Sequence, residues 1–191
     1  MEKPILYFEK SGEQNTNEVV SAVKTRAMEL NIKHVVVAST TGSTGIKVAE
    51  AFKDTDVKVI VVTNHYGFVQ EGEWLVEEDN LKKLQDLDAT VMTQTHALSG
   101  VERSLSNKVG GASRVETIAA VIKSLFGIGF KVAIEVTIMA SDSGAIPVDK
   151  EVIAIGGTHG GADVAVVIQP ANANNFFKMQ IREIIAMPRV K

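Results

Sequence analysis

The chain has 191 residues, enough for one domain with a full core and too few for two independent enzymatic domains. Apolar residues make up 45% and charged residues 23%, which excludes disordered, collagen-like and coiled-coil classes, and an aromatic share of 5% leaves the core to Val, Ile, Ala and Leu. A net charge of −3 with no Lys/Arg cluster argues against a reader of nucleic-acid phosphates, and the absence of cysteine excludes disulfides, thiolate metal sites and a Cys nucleophile.

The N-terminal MEKPILYFEKSGEQN carries a short apolar run between Glu and Lys, unlike the charged-then-apolar order of a signal peptide. No apolar run approaches the roughly 20 residues of a bilayer span. The expectation is a soluble cytoplasmic protein that binds neither nucleic acid nor membrane. PILYF (4–8) is a candidate entry strand. Asn15, three residues before Glu18, gives a capping-box-like start to a helix over about 16–30, with Val19, Val20, Val23, Ala27 and Leu30 at helical spacing. HVVVAS (34–39) is a near-continuous β-branched run, the mark of a strand covered on both faces of a parallel sheet. A Gly-rich turn and a short helix (about 44–53) follow.

VKVIVVT (57–63) repeats the strand pattern and leads through a long irregular stretch, 64–76, to a charged helix, EEDNLKKLQDL (77–87). ATVMTQT (89–95) reads as a third strand, followed by a second irregular stretch, 96–112, with Gly100, Gly110 and Gly111. Ser113 with Glu116 opens a helix to about Phe126. KVAIEVTIMASDSG (131–144) alternates as a strand would and also suits a buried helix face; helix is chosen because Gly144 supplies a natural C-cap. EVIAIGG (151–157) and ADVAVVIQP (162–170) are two strands, and the loop GGTHGG (156–161) is too short for a crossover, so they should be antiparallel. The tail, FFKMQIREIIAMPRVK, has mixed periodicity. With no repeat and no domain boundary, residues 1–191 read as a single α/β domain: a three-layer α/β/α sandwich around a mostly parallel five-stranded sheet whose last strand is antiparallel.

Ligands of open α/β sheets bind beyond the carboxyl ends of the parallel strands. STTGSTG (39–45) lies there, between strand and helix: Gly42 and Gly45 let the backbone bend near a ligand, Thr40, Thr41, Ser43 and Thr44 bring hydroxyls, and the helix start brings N–H groups. It is neither a Walker A loop nor a dinucleotide fingerprint. Phosphate binding is preferred here over plain helix capping. His65, His96 and His159 follow the ends of three strands, whereas His34 precedes one. Their spacing does not support a metal, so contact with a ligand is preferred over metal binding, with plain loop histidines the alternative. GGTHGG is evenly balanced between an anion-holding backbone nest and a simple turn. Glu135 is expected to pair with Arg182 or Arg189, and Trp74 to pack in a homo-oligomer rather than stack on a planar ligand or belong to a lid.

The run HVVVASTTGSTGIKVAEAFKDTDVKVIVVT resembles the C-terminal α/β domain of pyruvate kinase, and DKEVIAIGGTHGGADVAVVIQP resembles that domain's closing pair of strands. The chain also resembles a stand-alone family of small, mostly archaeal proteins with this fold, associated with flavin mononucleotide (FMN). The resemblance implies a phosphate at Thr40, Thr41, Ser43 and Thr44, with the 156–161 loop nearby, and it implies no kinase activity, because the kinase barrel and its catalytic lysine are lacking. The candidate ligand-binding set is Ser39, Thr40, Thr41, Gly42, Ser43, Thr44 and Gly45, with Thr63, Asn64, His65, Thr95, His96, Gly157 and Thr158 at neighbouring strand ends. No catalytic residue is assigned, and catalysis would come chiefly from a bound flavin. The alternative is a non-enzymatic sensor of a phosphorylated sugar or nucleotide.

Overall fold

Runs of Val and Ile that are apolar at every position need cover on both faces, and the computed structural model places them in the middle of a seven-stranded sheet. Residues 2–190 are described; Met1 and Lys191, the ends of the N-terminal run and of the tail, lie outside that description. The strands are β1 (Leu6–Lys10), β2 (His34–Ala38), β3 (Lys58–Thr63), β4 (Thr90–Thr93), β5 (Val152–Gly156), β6 (Val164–Gln169) and β7 (Gln180–Val190), in the spatial order β1-β7-β6-β5-β2-β3-β4. β2 pairs in parallel with β3 and β5, β3 with β4, and β1 with β7. β6 is antiparallel to both neighbours, and the expected pairing with β5 is present as Ile153 opposite Val167 and Ala154 opposite Val166.

The three-layer architecture is as expected, but the sheet has seven strands rather than five. β1 begins two residues later than the PILYF reading, and the tail of mixed periodicity is the long strand β7. β7 begins exposed and becomes buried only toward Ile185 and Ala186, so no single alternation runs along it. Its Pro188 is tolerated because β6 pairs only with residues up to Ala186.

The helices α1 (Thr16–Leu30), α2 (Ser43–Phe52) and α3 (Glu78–Asp86) cover one face, packing Val19, Val23, Val48, Phe52 and Leu84 on Val35, Val37, Val59 and Val61. α5 (Arg114–Phe126) and α6 (Ile128–Asp142) cover the other, where Phe130, Ala133, Ile138 and Met139 meet Val36, Ile60, Val62 and Ala154. α6 is buried almost all round, which is why its sequence also reads as a strand. Gly144 follows it with a positive φ of 76°, and Ala145 N donates back to Ala140 O at 3.0 Å, closing the helix as expected.

Three local expectations are corrected. Asn15 does not cap α1: a 3₁₀ turn (Glu13–Asn15) runs straight into the helix, and the buried Asn15 Nδ2 donates to Lys10 O at 2.8 Å. Ser113 does cap α5, accepting from Glu116 N at 3.2 Å, yet the Glu116 carboxylate completes no capping box; it takes Ser106 Oγ at 2.7 Å and Arg103 Nε at 3.5 Å. Those partners lie on α4 (Gly100–Val109), a helix inside the stretch read as irregular. The glycines that signalled a loop are its ends, and it buries none of its own residues, so no apolar face marked it. Among the described residues no helix is long and apolar enough to cross a membrane.

Candidate functional site

After β2 the chain moves to β3 on one side, while β5 arrives later on the other, so the connections diverge at the carboxyl ends of β2 and β5. Such a switch point opens a crevice. A cavity of about 610 Å³ occupies it. Its rim carries Thr40, Thr41, Ser43, Asn64, Gly157 and His159; its wall is Ala38, Val62, Leu75, Val132, Val136 and Met139, with Lys131, Glu135, Phe68, His96 and Arg103 around them.

The 39–45 loop divides its labour. Ser39 is buried and its Oγ accepts from Gly45 N at 3.1 Å, so this hydroxyl caps α2. Gly42 supplies a φ of 96° at the N-cap, where a β-carbon would also lie 2.9 Å from Asn80 Cβ. Thr41 O accepts from Asn80 Nδ2 at 3.0 Å and from Glu77 N at 3.2 Å, anchoring the loop to α3. Thr41 Oγ1 donates to Ser43 Oγ at 3.1 Å, and Thr40 Oγ1 accepts from Asn64 Nδ2 at 3.4 Å. Thr44 is buried. The amides of Thr40, Thr41, Gly42 and Thr44 make no hydrogen bond to the rest of the described chain. They lie at the start of α2, the positive end of its dipole.

Thr63 is buried, with its Oγ1 2.7 Å from Thr93 Oγ1 and accepting from Trp74 Nε1 at 3.3 Å; its hydroxyl joins β3, β4 and the 64–76 stretch. Trp74 stacks on Tyr66 at 5.5 Å. That stretch also contributes Phe68, Val69 and Leu75 to the cavity wall. His65 and His96 meet edge to face at 5.2 Å, and Phe68 lies 5.0 Å from His96. His65 Nδ1 donates to Tyr66 O at 2.6 Å. Burial holds the His96 imidazole below the ordinary histidine range, and its neighbours His65, Lys131 and Arg103 reinforce this against the opposing pull of Glu135. Thr95 is exposed and stands apart from the cavity lining, beside Gly100. His34 starts β2, at the end away from the crevice.

The 156–161 loop reaches the cavity through Gly157, His159, Gly160 and Gly161, whereas Thr158 faces two smaller hollows behind it. Its glycines are required by packing: a β-carbon on Gly161 would lie 2.5 Å from Glu13 Cα, and one on Gly157 would strike the backbone of Gly161. Ala162 N donates to Thr16 Oγ1 at 3.0 Å, and the buried Asp163 Oδ2 accepts from Gly12 N at 2.9 Å. Asp163 Oδ1 has no partner, and burial pushes the carboxyl above the usual carboxylate range despite hydrogen bonds from Thr158 and Gly12.

Glu135 does not pair with an arginine. Its Oε2 takes Lys131 Nζ at 2.5 Å and its Oε1 accepts from Leu98 N at 2.8 Å, while Arg182 pairs with Glu151 at 3.3 Å. Lys131 and Arg103 were not among the candidate residues. The signal for Lys131 was a charge four residues from Glu135 in an otherwise apolar helix; Arg103 had none, because its helix was unread. Among the described residues no three His, Asp or Glu side chains converge as a metal site.

Residues 17–168 match the family described as the pyruvate kinase alpha/beta domain. Among solved structures the chain is similar to a pyruvate kinase from Cryptosporidium parvum, at 11% identity and a TM-score of 0.41, over 89% of this chain and 24% of that one. The chain thus spans about a quarter of that protein's length.

Proposed function

Because the chain belongs to the pyruvate kinase α/β domain family, we propose that its crevice binds a small molecule bearing a phosphate, with FMN the first choice. The observation that carries this reading is the set of four unpaired amides at Thr40, Thr41, Gly42 and Thr44, gathered at the opening of α2. Unpaired N–H groups at a helix start form an anion site, to which the exposed Thr40 and Ser43 hydroxyls add donors. The adjoining cavity of about 610 Å³ falls within the roughly 300–1,000 Å³ of small-molecule sites.

Flavin fits the donor set. Val62, Val132, Val136 and Met139 offer an apolar wall and Phe68 an aromatic edge for a ring system, and the loop offers the phosphate cradle. A bound flavin would supply redox chemistry; the chain's own residues bind and orient it and shield it from water. The second reading is a sensor of a phosphorylated sugar, favoured by the hydroxyl-rich rim.

Titration of the purified protein with FMN and riboflavin, followed by flavin fluorescence, tests the proposal. FMN should bind at least tenfold more tightly than riboflavin, because a hydrogen-bonded charged group contributes about 1.5–3 kcal/mol and about 1.4 kcal/mol is a decade. Equal affinity would refute the phosphate cradle. Absence of flavin binding, with inorganic phosphate still bound, would turn the assignment to the sensor.

A further inference from the structure

Lys131 and Glu135 are the charged side chains in the buried length of α6, and the rules of helix stability do not account for them. Lys131 lies in the first turn, where the helix dipole disfavours a cation. Lys before Glu at a four-residue spacing is also the weaker orientation of such a pair. The two residues are only 8% and 4% exposed, and a buried ion pair commonly recovers less from attraction than it loses in desolvation, so apolar replacements would serve the fold as well. Yet both groups line the cavity rather than the packed core. Each Glu135 oxygen has one donor, from Lys131 or from Leu98 N, which holds the carboxylate fast. The Lys131 ammonium has three donors and, among the described residues, Glu135 is its one hydrogen-bonding partner.

We propose that Lys131 is a second ligand-binding group, whose ammonium donates to a carbonyl or carboxylate oxygen on the part of the ligand remote from the phosphate, with Glu135 as its positioning residue. The inference rests on the phosphate-binding reading of the 39–45 loop. It narrows the ligand class: a phosphate ester whose other end carries an electron-rich oxygen, set against an apolar wall. A flavin has such oxygens in the carbonyls of its pyrimidine ring; a phosphorylated sugar acid has them in its carboxylate. Lys131 and Glu135 are themselves buried, so the contact is made in a poorly screened environment.

The test compares wild type, Lys131→Met and the double variant Lys131→Met/Glu135→Gln, the last leaving no unpaired buried charge. Each is titrated with FMN, riboflavin and inorganic phosphate, and with phosphoglycerate against glycerol phosphate, which differ by a carboxylate. Both variants should bind FMN and riboflavin at least tenfold more weakly while binding inorganic phosphate as wild type does. If the natural ligand is a sugar acid, wild type should prefer phosphoglycerate and the variants should lose that preference. A folded double variant with wild-type affinity for FMN and phosphoglycerate would overturn the inference and leave the phosphate loop standing. An equal loss of inorganic phosphate would overturn it too, by showing that the substitution acts through the loop. A wild-type protein that binds phosphate but shows neither flavin binding nor the carboxylate preference overturns this inference alone; one that binds none of the probes overturns the proposed function with it.

Discussion

Gly45 lies directly against Val61: a β-carbon on the glycine would stand 2.7 Å from Val61 Cγ1 and 2.9 Å from Cγ2. The first turn of α2 therefore rests on β3 with no room for a side chain, and that contact brings the 39–44 loop to the rim of the crevice. The loop's second glycine serves helix–sheet packing rather than the approach of a ligand. Gly45→Ala should destabilise the protein by about 1–3 kcal/mol through overpacking, outweighing the roughly 1 kcal/mol by which Ala favours a helix. Urea unfolding checks this, and an unchanged midpoint would show that α2 can lift from the sheet at no cost.

The hydroxyls of the loop separate into a cap and a rim. Ser39→Ala should lower stability by about 1 kcal/mol, because it leaves Gly45 N without its acceptor. Thr41→Ala with Ser43→Ala should leave the melting temperature nearly unchanged, since these hydroxyls bond chiefly to each other. The double variant should weaken FMN binding at least tenfold, by loss of hydrogen bonds to a charged group. Calorimetric titration beside thermal melts distinguishes the two effects. Unchanged affinity with a lowered melting temperature would make Thr41 and Ser43 structural.

The parallel core was legible because β2, β3 and β5 are short, bounded runs of apolar residues, a pattern that demands cover on both faces. β7 was not, because its two halves lie in different surroundings, and α4 was not, because Val101, Leu105 and Val109 are exposed and bury nothing. At the cavity, loop 39–45 was legible from its composition and its place after a parallel strand, and its hydroxyl-rich pattern concealed that Ser39 and Gly45 are structural. Thr63 lies at the expected strand end and lines the cavity, while its hydroxyl also joins Thr93 and Trp74. Lys131 escaped notice because a lone lysine in a helix is ordinarily solvated; only the packing of α6 shows that it is enclosed.

Outside the crevice, Arg26 of α1 donates to Glu183 of β7 through Nε at 2.7 Å and Nη2 at 2.6 Å, and to Glu29 through Nη1 at 2.5 Å. Arg26 holds the Glu183 carboxyl below its ordinary range. A depressed carboxyl contributes stability above its unfolded value of 4.5 and loses it as pH falls through the folded value. Glu183→Gln should therefore be less stable than wild type at pH 7, by about 1–3 kcal/mol for a half-buried charged pair. The gap should narrow below about pH 4.5. Paired denaturation curves at pH 7 and pH 3 measure it, and a gap independent of pH would mean that the side chain contributes by packing alone.

Asp163 should show the opposite sign. Its Oδ2 accepts from Gly12 N, its Oδ1 has no partner, and burial raises the carboxyl above its unfolded value of 3.8. Between those two values the folded state binds more proton than the unfolded chain, so stability falls as pH rises through the window. Below pH 3.8 the protonated Asp163 and an asparagine are alike in carrying one acceptor oxygen and one donor group. Above the window only the aspartate bears a charge in a site that offers one oxygen nothing. Asp163→Asn should thus gain on wild type as pH rises from about 3 to 8, whatever the offset at the acid end, because every other carboxylate titrates equally in both proteins. A stability difference that stays flat across that range would show that the Asp163 carboxylate is as well accommodated when charged as when neutral.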